Sequence, residues 1–116
     1  MAAQLVDLHL HSTFSDGRYT PTMLVNEAVS KGISVIAVTD HDSWNGLAEA
    51  HEAAKRYGGR IRVLTGVELG TQYEDDAVHI LGYHVSTDCK PLHNKMNEMR
   101  HAREHRYMLC WKSWKN

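Results

Sequence analysis

Three times in the first 68 residues, an apolar run of strand length ends on side chains that can hold a cation. Residues 4–11 end in His9 and His11. Residues 34–39 run into Asp40, His41 and Asp42, and residues 61–68 finish on Glu68. Helical patterning fills the intervals. Thr20-Pro21 has the form of an N-cap with proline at the first helical position, Leu24, Val25, Ala28 and Val29 make one stripe, and Gly32 is a natural stop. Leu47, Ala50, Ala54 and Tyr57 make a second stripe, closed by Gly58-Gly59. Three strand-then-helix units in a row argue for an α/β domain with a parallel sheet. In such folds the loops at the C-terminal ends of the strands converge, so polar residues placed there share one rim.

The first of these ends is the densest. Side chains of a strand alternate faces, so His9 and His11 point the same way, about 6.5–7 Å apart along the strand. At that spacing two imidazoles hold one ion, or two adjacent ions, without bending the backbone. Asp7 shares their face and can ligate or orient an imidazole. Asp16 follows in a polar loop built on the turn dipeptide Asp16-Gly17. A further pair of short strands is expected at residues 69–73 and 78–85 around the turn-prone Glu74-Asp75-Asp76, and His79 lies in the second of them. Taken together, His9, His11, Asp16, His41, Glu68 and His79 offer four imidazoles and two carboxylates. That mixed donor set suits zinc, manganese or iron(II), and it exceeds what one tetrahedral ion needs. A cluster of two or three ions is expected. Each residue also has a plainer reading: an isolated strand-end histidine hydrogen-bonds at the surface, Asp16-Gly17 makes a turn, Asp40 or Asp42 caps a helix, and Glu68 marks the strand's exit. Coincidence at successive strand ends favours the metal centre.

Length and charge bound the rest. The 116 residues make one domain at most, and their 42% apolar content excludes a disordered chain. No apolar run approaches the ~18 residues of a membrane span, and no basic segment precedes an apolar one at the N-terminus. Cys89 and Cys110 form no Cys-x-x-Cys motif, so reduced thiols and a cytoplasmic location are expected, with no membrane partner. Residues 1–89 carry 6 Lys/Arg against 12 Asp/Glu, whereas residues 90–116 carry 7 against 2. The acidic body suits cations. The basic tail suits phosphates or forms a solvated helix face. A last helix opens near residues 88–91, with Leu92, Met96 and Met99 on one side; beyond Ala102 the apolar period lapses, and residues 107–116 have no assignable pattern. His101 and His105 fit a solvated face.

The chain resembles the PHP (polymerase and histidinol phosphatase) phosphoesterase family in four ordered motifs: Asp7-Leu-His-Leu-His11-Ser with Ser15-Asp-Gly17, Thr39-Asp-His-Asp42, Gly66-Val-Glu68, and His79-Ile-Leu-Gly-Tyr83. The Leu-Gly-Tyr after the histidine is similar to the stand-alone branch of nucleoside bisphosphate phosphatases and 5′-to-3′ exoribonucleases. The resemblance implies an α/β fold, a distorted (β/α)7 TIM-like barrel with a trinuclear metal centre, of which residues 1–87 form the N-terminal half. Residues 88–116 would begin a basic helical insertion with an atypical C-terminal tail. By position, His9, His11 and Glu68 would hold one ion with Glu68 bridging, Asp16 and His41 a second, and His79 a third. Asp7 and Asp40 would stand behind the ligands, while Arg100, Arg103 and Arg106 could meet substrate phosphate.

The implied activity is metal-dependent hydrolysis of nucleotide or oligonucleotide phosphate esters by a metal-bound hydroxide, with no separate nucleophile. Ser12 and Ser15 are expected to hydrogen-bond within their loop. The partner implied is a small phosphorylated substrate, a nucleotide or a short RNA or DNA. Full-length members add a further histidine and an Asp-x-His pair; no Asp-x-His occurs in residues 80–116, and a closed barrel needs ~200 residues. An incomplete barrel is therefore expected, with an open sheet edge prone to self-association. The alternative function is a truncated fragment that binds metal without turnover.

Overall fold

In the computed structural model, which describes residues 3–115, the elements run β1 (Leu5–Leu10), α1 (Pro21–Ser30), β2 (Ile33–Val38), α2 (Leu47–Lys55), β3 (Arg62–Tyr73), β4 (Asp76–Tyr83) and α3 (Lys90–Lys115). They fall into two compact units, Met1–Val85 and Ser86–Asn116.

The first unit is a four-stranded sheet in the order β1-β2-β3-β4. β1, β2 and β3 run parallel, linked by α1 and α2, and β4 returns antiparallel to β3. The helices begin and stop where the local chemistry dictates. The Thr20 hydroxyl accepts the Met23 N–H at 3.1 Å ahead of Pro21, and Gly32 follows α1 at φ 76°, a left-handed conformation that costs glycine least. Val25 and Ala28 of α1 and Ala50, Ala53 and Ala54 of α2 pack with Ile36 and Val38 of β2 and with Ile61 and Val63. This core seats the C-terminal ends of β2 and β3, the rim that carries the polar residues.

Two expectations about the sheet are corrected. The third strand is not followed by a helix: β3 continues for 12 residues and turns through Glu74 and Asp75 into β4. It can be that long because it changes partner midway. Residues 62–65 pair with β2, and residues 66–73 pair with β4. The exchange happens at Gly66, where a Cβ would stand 2.8 Å from Thr39 Cγ2, so a side chain would push β2 and β3 apart. Glu74, at φ 56°, supplies the left-handed residue a two-residue hairpin turn requires. The first strand, whose apolar residues 5, 6, 8 and 10 read as a buried strand, is not buried. β1 is an edge strand with Leu5 and Val6 53% and 56% exposed, since nothing pairs with its outer side among the described residues. Its ladder to β2 is also irregular between Asp7 and Leu10.

In the second unit, α3 continues through the stretch that has no apolar period. Leu92, Met96 and Met99 are half-buried or buried, as their shared side predicts, and after Pro91 the helix contains neither glycine nor proline, so nothing in its local chemistry stops it where the apolar period lapses. Residues 101–106 are all exposed, His101 and His105 included. Cys89 is a free, exposed thiol, whereas the Cys110 side chain lies outside the described residues. No helix among the described residues is long and apolar enough to cross a membrane.

The burial pattern predicts unequal costs for two aliphatic truncations in the same sheet. Ile36→Ala, at a fully buried position, should lower unfolding free energy by about 2–5 kcal/mol. Leu5→Ala on the open edge should cost only about 0.5 kcal/mol. Urea denaturation of both variants measures the difference.

Candidate metal centre

Glu68 is the hub. β3 carries it past the last ladder pair with β2, and an isolated parallel bridge joins its backbone to His41. Its N–H donates to the Asp40 carbonyl at 3.0 Å, and its own carbonyl accepts the Asp42 N–H at 2.9 Å. These bonds aim a carboxylate that is only 4% exposed at the rim. Glu68 Oε1 lies 2.6 Å from His9 Nε2 and 3.5 Å from His11 Nε2, and Oε2 lies 3.1 Å from His41 Nδ1 and 3.0 Å from His79 Nδ1. Four imidazoles from β1, the loops after β1 and β2, and β4 thus meet one carboxylate.

Asp16 closes a ring on the other side. Its two oxygens stand 3.2 Å from His11 Nδ1 and 3.2 Å from His41 Nε2. The His11 and His41 rings stack between the two carboxylates with centroids 4.6 Å apart. The ligand atoms fall into three overlapping triads, His9/His11/Glu68, His11/Asp16/His41 and His41/Glu68/His79, with the atoms of each triad within 4.8 Å of one another. All six candidate ligands are therefore brought together.

The donor set fits a cation better than it fits itself. His11 Nδ1 is buried and makes no hydrogen bond, because its approach to Asp16 has the distance of one without the alignment. A buried nitrogen without a partner is costly, and a cation would use its lone pair. Burial opposes ionisation of Glu68, but the hydrogen bond with His9 and the His41, His11 and His9 charges outweigh it and hold the carboxyl below its ordinary 4.5. For Asp16 burial again opposes ionisation, and the His41 and His11 charges bring the carboxyl below 3.8. Both groups are thus ionised at neutral pH, as ligands must be.

The residues expected behind the ligands act on backbone and loop. Asp40 is buried and accepts three bonds: Ser12 N–H on Oδ1 at 2.6 Å, Ser12 Oγ on Oδ2 at 2.6 Å, and Ser15 Oγ on Oδ1 at 2.8 Å. It thereby fixes the loop between His11 and Asp16, and both serines are hydrogen-bonders of that loop. A Cβ on Gly17 would overlap the His11 carbonyl, so only glycine lets the loop fold back this tightly. Asp7 Oδ1 accepts the His9 N–H at 3.2 Å, so it acts on the backbone of that ligand. Arg100 and Arg103 lie on α3 in the second unit, where Arg100 donates to Asn97 one turn earlier.

Two residues carry structure that spacing did not disclose. Gly46 holds the N-cap position of α2, and Asp42, buried at φ 50°, instead accepts the Gly70 N–H at 3.1 Å, fastening the hairpin to the rim. Tyr83 donates its hydroxyl to the Leu8 carbonyl at 2.6 Å. Its position four residues after His79 on one strand, hence on the same face, was the available signal.

A largely parallel α/β sheet with a His/Asp/Glu cluster at one rim defines a candidate metal-binding domain of barrel type. The chain belongs to the PHP domain family, whose model matches residues 7–112. It is 49% identical over 76 residues to a 5′-3′ exoribonuclease of Haemophilus influenzae, covering 66% of this chain and 27% of that protein. It is 46% identical over 77 residues to a 3′,5′-nucleoside bisphosphate phosphatase of Chromobacterium violaceum, covering 66% and 26%. Two solved structures superpose well. One is an amidohydrolase from Chromobacterium violaceum with bound sulfate and no metal (TM-score 0.81, 39% identity, 87% of this chain and 35% of that one). The other is a protein from Bifidobacterium adolescentis assigned as a metal-dependent phosphoesterase (TM-score 0.84, 35% identity, 91% and 36%). The chain spans about a quarter of the length of those curated relatives, and its sheet corresponds to part of the family's TIM-like barrel.

Two outcomes follow from this geometry. Because the folded carboxyls titrate below their ordinary values, their contribution to stability is complete above about pH 4.5 and is lost as pH falls through the depressed values. Acid unfolding of the metal-free protein should therefore be shallower in Glu68→Gln than in wild type, followed by circular dichroism. Asp40→Ala should release the loop between His11 and Asp16, and hydrogen exchange at Phe14 and Gly17 should accelerate at least tenfold.

Proposed function

We propose that this chain carries the metal ligands of a metal-dependent phosphoesterase acting on nucleotide or oligonucleotide phosphate esters. The observation that carries the reading is Glu68, a buried carboxylate in contact with four imidazoles from separate segments. Family membership supports the reaction class, and the two nucleotide- and RNA-directed relatives support the substrate class. The sulfate held by the Chromobacterium violaceum structure is a tetrahedral oxyanion like the phosphate of such a substrate.

His9, His11 and Glu68 would hold one ion, Asp16 and His41 a second with His11 alongside, and His79 a third next to His41 and Glu68. Manganese, zinc and iron(II) all suit two or three sites of mixed nitrogen and oxygen donors. When bound, such ions supply Lewis acidity, lowering the pKa of a water and offsetting phosphoryl charge. The chain's own residues do the rest. Glu68 and Asp16 provide anionic oxygens, the imidazoles provide lone pairs, and Asp40 keeps His11 and Asp16 at their separation. Arg100 and Arg103 are assigned to substrate phosphate by charge alone. The exposed β1 edge supports self-association, read by sedimentation at rising concentration.

Bound manganese, zinc and iron per chain should be measured, alongside phosphate release from an aryl phosphate and from a 3′,5′-bisphosphate. Two or three ions per chain are expected, with turnover abolished in His9→Ala and Glu68→Ala. Metal without turnover would restrict the chain to metal binding, and absence of metal in wild type would end the reading.

A further inference from the structure

We propose that Tyr83 is a positioning residue of the candidate metal centre: its hydroxyl, by bonding the Leu8 carbonyl, sets where His9 stands against Glu68. The inference rests on the metal-centre reading only for its consequence in metal affinity; the positioning itself is a property of the metal-free chain.

The argument starts from the sheet order. β1 and β4 are its two ends, with β2 and β3 between them. In a flat sheet three strand spacings would separate them by ~14 Å. The Tyr83 hydroxyl nevertheless lies 2.6 Å from the Leu8 carbonyl, so the sheet curls until its ends are one side chain apart. That curl is what allows His9 on one end and His79 on the other to reach the same Glu68 carboxylate, at 2.6 and 3.0 Å. His79 and Tyr83, four residues apart on one strand, lie on the same face.

The peptide that Tyr83 grips is the one that needs gripping. The β1–β2 ladder is irregular between Asp7 and Leu10, and the Leu8–His9 peptide lies inside that interval. Its carbonyl is held by Tyr83 and its N–H by Asp7 Oδ1 at 3.2 Å. Side chains thus secure both polar groups of the link from which the His9 ring projects. His9 is also the more exposed imidazole of the His-x-His pair, 54% against 22% for His11, so packing restrains it less. Partners that orient a ligand from behind typically change metal affinity 10–100-fold when removed.

The test compares wild type, Tyr83→Phe and a control, Thr71→Val, which deletes another 2.6 Å hydroxyl-to-carbonyl bond in the same hairpin. In the metal-free proteins, side-chain nitrogen NMR of His9 reports its pairing with Glu68, and manganese titration reports affinity. Tyr83→Phe should move the His9 signals toward those of a free imidazole and weaken manganese binding roughly 10–100-fold, with Thr71→Val like wild type on both counts. Unchanged His9 signals in Tyr83→Phe, or equal shifts in Thr71→Val, would overturn the proposal. His9 signals that move in a protein taking up no manganese would uphold the positioning role and remove the metal-centre reading instead. Should Tyr83→Phe not fold, 3-fluorotyrosine at the same position strengthens the donor; His9 signals that shift under fluorination uphold the proposal, and signals that do not respond overturn it.

Discussion

One buried carboxylate organises this protein. Glu68 is nearly inaccessible, yet it is kept ionised because imidazoles surround it on both oxygens. An isolated carboxylate at that depth would be expensive and would neutralise itself by taking up a proton. The fold offsets that cost by drawing His9, His11, His41 and His79 from separate segments to within about one hydrogen-bond length of it. The backbone contributes as well, since the bridge between His41 and Glu68 extends the β2–β3 pairing far enough to set these two residues side by side.

The sheet serves this convergence by being irregular at chosen places. β3 exchanges partners at Gly66, where close approach to Thr39 leaves no room for a side chain, and so presents Glu68 to β2 and β4 together. The β1 ladder is interrupted beside His9. Asp42 takes up a left-handed conformation and ties the rim to Gly70. Such local departures from ideal geometry cluster around functional residues because surrounding structure must over-determine them. Here the over-determination is visible as hydrogen bonds accepted by Asp40, Asp42 and Asp7 and donated by Tyr83, none of which is itself in the His/Glu hub.

Much of this was legible in the chain. Alternation in a strand was enough to put His9 and His11 on one face, and Thr20-Pro21 and Gly32 marked the ends of α1 because capping is chemistry of adjacent residues. The C-terminal ends of parallel strands share an edge, so His11, His41 and Glu68 were legible as neighbours. The exposure of β1 was not, because burial depends on what lies beside a strand and not on its own apolar content. The length of β3 escaped for a related reason: a strand that changes partners carries no local mark of the exchange. The reach of α3 to Lys115 was obscured because the apolar period lapses beyond Ala102, while the helix needs only residues that do not break it to continue.

The sequence by itself determined which donors exist, their spacing along each element, and the family to which the chain belongs. These properties are local, written in residue type and in periods of two and 3.6. Only the tertiary structure decided that Glu68 is the hub, that Asp40 secures the serine loop, and that Tyr83 joins the two ends of the sheet. Those are contacts between segments 28, 59 and 75 residues apart. They follow from sheet curvature and register, which are collective consequences of the whole core and have no signature at the positions they connect.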